Sequence, residues 1–141
     1  NLDNRYFQNY VYEPRLVIID DMSLGELRGK PGMDMIINSP YVEFVQGLFQ
    51  GKSNQIEKEY GNFDFVWFDC GGPQEYKAFL EEYWSLCCGY IFFHFTYSDG
   101  APNSAMDTIM TKAANEPFKI DIVEPHKTRQ GSITIVKKQL V

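Results

Sequence analysis

The chain has 141 residues, 44% of them apolar and 16% aromatic, enough for one compact domain that buries well over half of its unfolded surface. A net charge of −6, from 19 acidic and 13 basic residues with no basic cluster larger than two lysines, argues against nucleic acid or an anionic membrane as the main partner and for a small molecule or another protein. No run reaches the roughly 18 to 20 apolar residues that a bilayer span needs, and the N-terminal stretch "NLDNRYFQNYVYEP" has neither the basic start nor the apolar core of a signal peptide, so a cytoplasmic protein is expected.

In chain order, "RLVIIDD", Arg15 to Asp21, is a β-branched run ending in two aspartates. It reads as a strand buried on both faces of a parallel sheet. The segment from Leu24 to Asn38 carries Gly25, Gly29, Pro31 and Gly32, which predicts a loop and at most a short helix. "YVEFVQGLF", Tyr41 to Phe49, is a second strand, and Ser53 is placed to cap a short helix over "SNQIEKEY". "FDFVWFD" is a third strand. After the Gly-Gly-Pro turn, Tyr76, Phe79, Leu80, Tyr83 and Trp84 recur at helical spacing and predict an amphipathic helix, with Pro73 at its start. "CGYIFFHFTYS" is a fourth strand, "NSAMDTIMTKAAN" a helix, and "FKIDIVEP" with "SITIVKKQL" a closing pair joined by "HKTRQG". The three cysteines, Cys70, Cys87 and Cys88, are odd in number, and none lies in a CxxC. They support neither a disulfide framework nor a zinc site and read as small buried apolar residues.

Strands alternating with helices predict an α/β fold in a single domain over residues 1–141, and such sheets bind ligands outside the carboxyl ends of their strands. Asp20 or Asp21, Asp69 and His94 each fall at or just past such an end, so polar groups from three strands are expected to converge on one rim. Each has a structural reading as well. A strand-end aspartate can cap the next element, and a histidine can be a satisfied structural residue.

From Arg15 onward, the order of elements resembles the class I S-adenosylmethionine-dependent methyltransferases, in particular the small-molecule O-methyltransferase-like branch. The residues that carry the resemblance are "FDFVWFD", the tyrosine-bearing helix "EYKAFLEEYW", the Gly-led strand "CGYIFF" and the terminal "EPHKTRQGSITIVKK". The fold implied is Rossmann-like, a mostly parallel sheet with an antiparallel C-terminal strand. The resemblance implies S-adenosyl-L-methionine as cofactor, with Asp20, or Asp21 in its place, taking the ribose hydroxyls. Phe49 would pack the adenine where the family usually has an acid and this chain has Leu48. Asp69, Cys70 and Gly71 would line the methionine side, and Tyr76 and Tyr97 the acceptor side. In metal-dependent members the fifth strand ends in Asp-Asn. Here the corresponding pair is His94-Phe95, which implies a metal-free enzyme with His94 as general base. A small-molecule hydroxyl, aromatic in view of Trp67, Trp84 and the two tyrosines, is the expected acceptor. Whether the protein is a homodimer stays open.

The chain departs from the family at the front. The family's first strand and its G-x-G-x-G loop should precede "RLVIID" by roughly 20 to 25 residues, and no glycine occurs there. In the family's strand order, 3-2-1-4-5-7-6, that strand is the central one. The chain is therefore expected to be an N-terminally incomplete piece of the fold, or else to close strands 2 and 4 directly on each other. Two other readings compete. One is a non-catalytic methyltransferase-like interaction domain. The other is a cysteine hydrolase or acyltransferase that uses Cys70, with His94 or His126 as its base.

Overall fold

A computed structural model of the chain describes residues 15–23, 31–98, 101–114, 118–123 and 133–138. The protein is α/β, and its internal contacts divide it into two compact units, Asn1–Phe49 and Gln50–Val141.

The first unit holds strand β1 (Leu16–Asp20), helix α1 (Pro31–Ile37) and strand β2 (Val42–Gln46). The two strands form a parallel pair, with Leu16 opposite Val42 and Asp20 opposite Gln46. β1 is half-buried along most of its length and Leu16 is exposed, so the β-branched run is not closed on both faces as its composition predicts. The apolar run fixes strand type through side-chain shape. It does not fix how many neighbours cover the strand, and among the described strands β1 is hydrogen-bonded to β2 alone.

The second unit contains α2 (Ser53–Tyr60), β3 (Phe63–Phe68), α3 (Pro73–Tyr83), a 3₁₀ turn (Trp84–Leu86), β4 (Cys87–His94), the short strands β5 (Tyr97–Ser98) and β6 (Ala101–Pro102), α4 (Ser104–Ala113), β7 (Phe118–Val123) and β8 (Ile133–Lys138). Its sheet has the order β3-β4-β8-β7. β3 and β4 are parallel, and β8 is antiparallel to both β4 and β7. The sheet is thus mixed, with the C-terminal strand reversed and inserted beside "CGYIFF".

The helical spacing in α3 has its predicted consequence. Tyr76, Phe79, Leu80 and Tyr83 are buried, with Trp84 just beyond them. Their face packs on Phe68 of β3 and Phe93 of β4: the Phe68 and Phe79 rings stack at 4.2 Å, and Phe79 meets Phe93 edge-on at 5.8 Å. Ala105, Met106, Ile109 and Ala113 give α4 a matching buried stripe. Two boundaries differ from expectation, as does the burial of the cysteines. Lys52, not Ser53, occupies the N-cap of α2 and makes no side-chain cap bond. The fourth strand stops at His94 because Phe95 takes a left-handed backbone (φ 55), which no strand continues. Of the cysteines, Cys87 is buried, Cys88 is intermediate and Cys70 is exposed, so the buried apolar reading holds fully for Cys87 alone. The "HKTRQG" connection and His126 lie outside the described residues. No described helix is long and apolar enough to cross a membrane.

Between Phe63↔Cys87 and Phe65↔Tyr90 the register shifts, β4 spending one more residue than β3. Gly89 makes this bulge feasible, because a Cβ there would meet the Asp64 carbonyl oxygen at well under 3.0 Å. Gly89→Ala is expected to cost about 1 to 3 kcal/mol by overpacking this contact. The check is a lower urea midpoint at unchanged m-value; an unshifted midpoint would show that the bulge relaxes without cost.

Candidate functional site

Two groups of sequence-predicted residues come together, one in each unit. In the first unit they lie at the carboxyl end of the β1–β2 pair, where Gly47 N–H donates to the Asp20 carbonyl at 2.9 Å. The Asp20 and Asp21 carboxylates each accept a backbone N–H two residues on, Asp20 from Met22 at 2.6 Å and Asp21 from Ser23 at 2.9 Å. These are successive Asx turns, the local hydrogen-bonded alternative that aspartate offers where a strand ends, and they accompany the positive φ of Met22. The Ser23 backbone and hydroxyl hold the Asp21 carboxyl below the usual carboxylate range. Each turn occupies one oxygen. Past β2, Leu48 is 62% exposed and Phe49 half-buried.

In the second unit the group sits where β3 and β4 end. Asp69, one residue beyond β3, leads into the Cys70-Gly71-Gly72 turn that opens α3. Gly71 adopts φ 70, and a Cβ there would run into the Glu75 side chain, so the turn requires glycine. The Glu75 carboxylate reaches back to accept Gly72 N–H at 2.8 Å, and that bond holds its carboxyl below the usual range.

The Asp69 carboxylate lies 3.0 Å from Nδ1 of His94, with the histidine side chain 17% and the aspartate side chain 37% exposed. The His94 ring is flanked by Phe95 at 3.8 Å and by Trp67, itself 47% exposed, at 6.0 Å. No described group hydrogen-bonds to Nε2. An imidazole with one nitrogen engaged by a carboxylate and the other open can take a proton from a bound hydroxyl.

The two tyrosines assigned to the acceptor side are placed differently. Tyr76 is 2% exposed, with its ring against Phe68 and Phe93, and its hydroxyl donates to the His94 carbonyl. Burial, followed by the nearby Asp69 and Cys70 charges, pushes its phenol well up, which keeps it a donor. Tyr76 therefore holds the end of β4 from the core side and presents no ring surface to an acceptor. Tyr97 is half-buried in the short β5–β6 ladder, opposite Pro102. Trp84 is buried as well, whereas Trp67 and Phe95, both beside His94, are exposed.

Sequence reasoning missed Asn103. Its side-chain amide donates to the Phe95 carbonyl at 2.5 Å, its N–H donates to the Thr96 carbonyl at 3.0 Å, and its side-chain oxygen caps α4 through Ala105 N–H at 3.0 Å. The signal was present, since asparagine directly before "SAMDTIM" is an N-cap pattern. That the same residue also fastens the turn after His94 has no local signature.

Among the described residues no three His, Cys, Asp or Glu side chains group to hold a metal ion. No protein-family model and no curated protein matches the chain.

Proposed function

We propose that the chain carries part of a Rossmann-like, class I methyltransferase fold, and that the β3–β4 rim is the acceptor site for metal-independent methyl transfer from S-adenosylmethionine to a small-molecule hydroxyl, with His94 as general base. The observation that carries this reading is the Asp69–His94 pair, 3.0 Å apart at the carboxyl ends of a parallel strand pair, which is where α/β sheets bind and transform ligands. The strand order supports it. β3, β4, β8 and β7 follow the family's order 4-5-7-6, with the reversed strand in third place, and β1 with β2 follow 2 and 3.

The first unit suits the cofactor's adenosine. An ionised carboxylate accepts several donors, and the Asx turn occupies only one Asp20 oxygen, so the other remains for a ribose hydroxyl. The family resemblance assigns the adenine to the backbone of 47–49 and the Phe49 ring, and the methionine portion to Cys70 and Gly71. Bound in this way, S-adenosylmethionine supplies an activated methyl group. His94 Nε2 takes the proton of the acceptor hydroxyl, and Trp67 offers a surface on which that acceptor can lie.

Calorimetry with S-adenosylmethionine and S-adenosylhomocysteine tests the reading. Both are expected to bind, and Asp20→Ala is expected to weaken each by about 1 to 3 kcal/mol through loss of hydrogen bonds to a charged acceptor. If neither binds, the enzyme reading fails. A non-catalytic interaction domain would then be the better account, favoured by the exposed Leu48 where the family has an acid.

A further inference from the structure

The bulge at Gly89 determines which residue His94 meets. Phe63 pairs with Cys87, so an uninterrupted ladder would carry Asp69 opposite Phe93, which is fully buried beneath α3. The extra residue in β4 moves the register by one. Phe68 now pairs with Phe93, and the next position along brings Asp69 beside His94, on the opposite face of the sheet from that buried pair. The histidine is then fastened at three points. Its ring is held by Asp69, its carbonyl by the Tyr76 hydroxyl, and the left-handed residue after it by Asn103. A phenylalanine at positive φ costs free energy and persists only where its surroundings hold it, as the Asn103 bonds to Phe95 and Thr96 do here.

An ionised carboxylate can only accept a hydrogen bond. The proton between Asp69 and His94 therefore sits on Nδ1, and in the neutral ring the lone pair must be on Nε2. We infer that Asp69 is a positioning residue: it fixes the neutral His94 in the Nδ1–H tautomer and so directs the basic nitrogen, Nε2, toward the acceptor. The inference rests on the reading of His94 as base. It moves Asp69 from the cofactor's surroundings to the histidine's.

Two-bond ¹H–¹⁵N correlation spectra of the imidazole, recorded on the 141-residue chain above the His94 titration midpoint, test it directly. The wild-type ring is expected to show the Nδ1–H pattern. Asp69→Asn keeps the shape, but its amide can donate to Nδ1, so this variant is expected to shift the neutral ring toward Nε2–H. Asp69→Ala, which can neither accept nor donate, is expected to give a mixture of tautomers with the fold retained. A wild-type ring in the Nε2–H form, or an Asp69→Asn spectrum identical to wild type, overturns the inference. The measurement needs neither cofactor nor acceptor. A chain that shows the Nδ1–H tautomer and binds no S-adenosylmethionine refutes the proposed function alone, whereas cofactor binding with the wrong tautomer refutes only the role given to Asp69. If Asp69 acts solely through His94, cofactor affinity in Asp69→Asn is also expected to stay within twofold of wild type, and a tenfold loss would return it to the cofactor's surroundings.

Discussion

His94→Ala is expected to lower turnover by about 10²- to 10⁴-fold, the contribution of a positioned general base, while leaving the affinity for S-adenosylhomocysteine unchanged. Radiolabelled methyl transfer to a panel of simple phenols, such as catechol and 4-nitrophenol, measures the first quantity and calorimetry the second. The separation follows from the roles proposed. The ring belongs to the last residue of β4, with Phe95 and Trp67 beside it, and it is proposed to meet the acceptor hydroxyl and not the adenosine. His94→Gln keeps a hydrogen-bonding side chain but offers no titratable nitrogen, so it is expected to be as slow as the alanine variant. Wild-type turnover in both variants would make His94 a structural histidine held by Asp69, and the rim would then lack a base.

Much of the fold was legible because burial imposes periodicity. The i, i+3, i+4, i+7 pattern of Tyr76, Phe79, Leu80 and Tyr83 could serve only a helix with one apolar side, and the β-branched "LVIID" and "ITIV" runs could serve only strands. The two short apolar segments that close the chain made a pair of strands legible, whereas the reversal of the last one was an expectation from the family resemblance. What escaped depends on register and on single backbone dihedrals. Nothing local to "CCGYIFFH" says that Gly89 is an extra residue, yet that one residue decides whether Asp69 meets His94 or Phe93. A phenylalanine at φ 55 has no composition signal, so the strand was read straight through Phe95. Tyr76 was assigned to the acceptor because tyrosine suits both a core and a site. Its burial against Phe68 and Phe93 settles its ring in the core, and only its hydroxyl reaches toward the rim. For Asp20 and Asp21 the structure shows the local role, an Asx turn on each carboxylate at the end of the strand.

Phe93→Ala is expected to be the most destabilising substitution considered, at about 3 to 5 kcal/mol, against a total stability of about 5 to 15 kcal/mol for a domain. Phe93 is fully buried, and its ring meets Phe68 at 6.4 Å, Tyr76 at 6.0 Å and Phe79 at 5.8 Å, so truncation removes the centre of the layer between α3 and the sheet. Those neighbours are large rings on a strand and a helix, which leaves them little room to collapse into the cavity. Phe93→Leu keeps most of the volume and is expected to cost less than about 1.5 kcal/mol. Urea denaturation of the two variants measures both values, and a Phe93→Ala cost below about 1 kcal/mol would mean that this layer does not hold the unit together. The consequence reaches the rim. Phe93 and His94 are consecutive on β4 and point to opposite faces, and Tyr76, which packs on Phe93, also holds the His94 carbonyl. A cavity at Phe93 lets that tyrosine and the end of β4 shift together, and a displacement of roughly 1 Å at a catalytic group can cost about 10²-fold in rate. Turnover of Phe93→Ala, measured well below its unfolding midpoint, is therefore expected to fall although the residue touches no reactant, while Phe93→Leu keeps most of its activity.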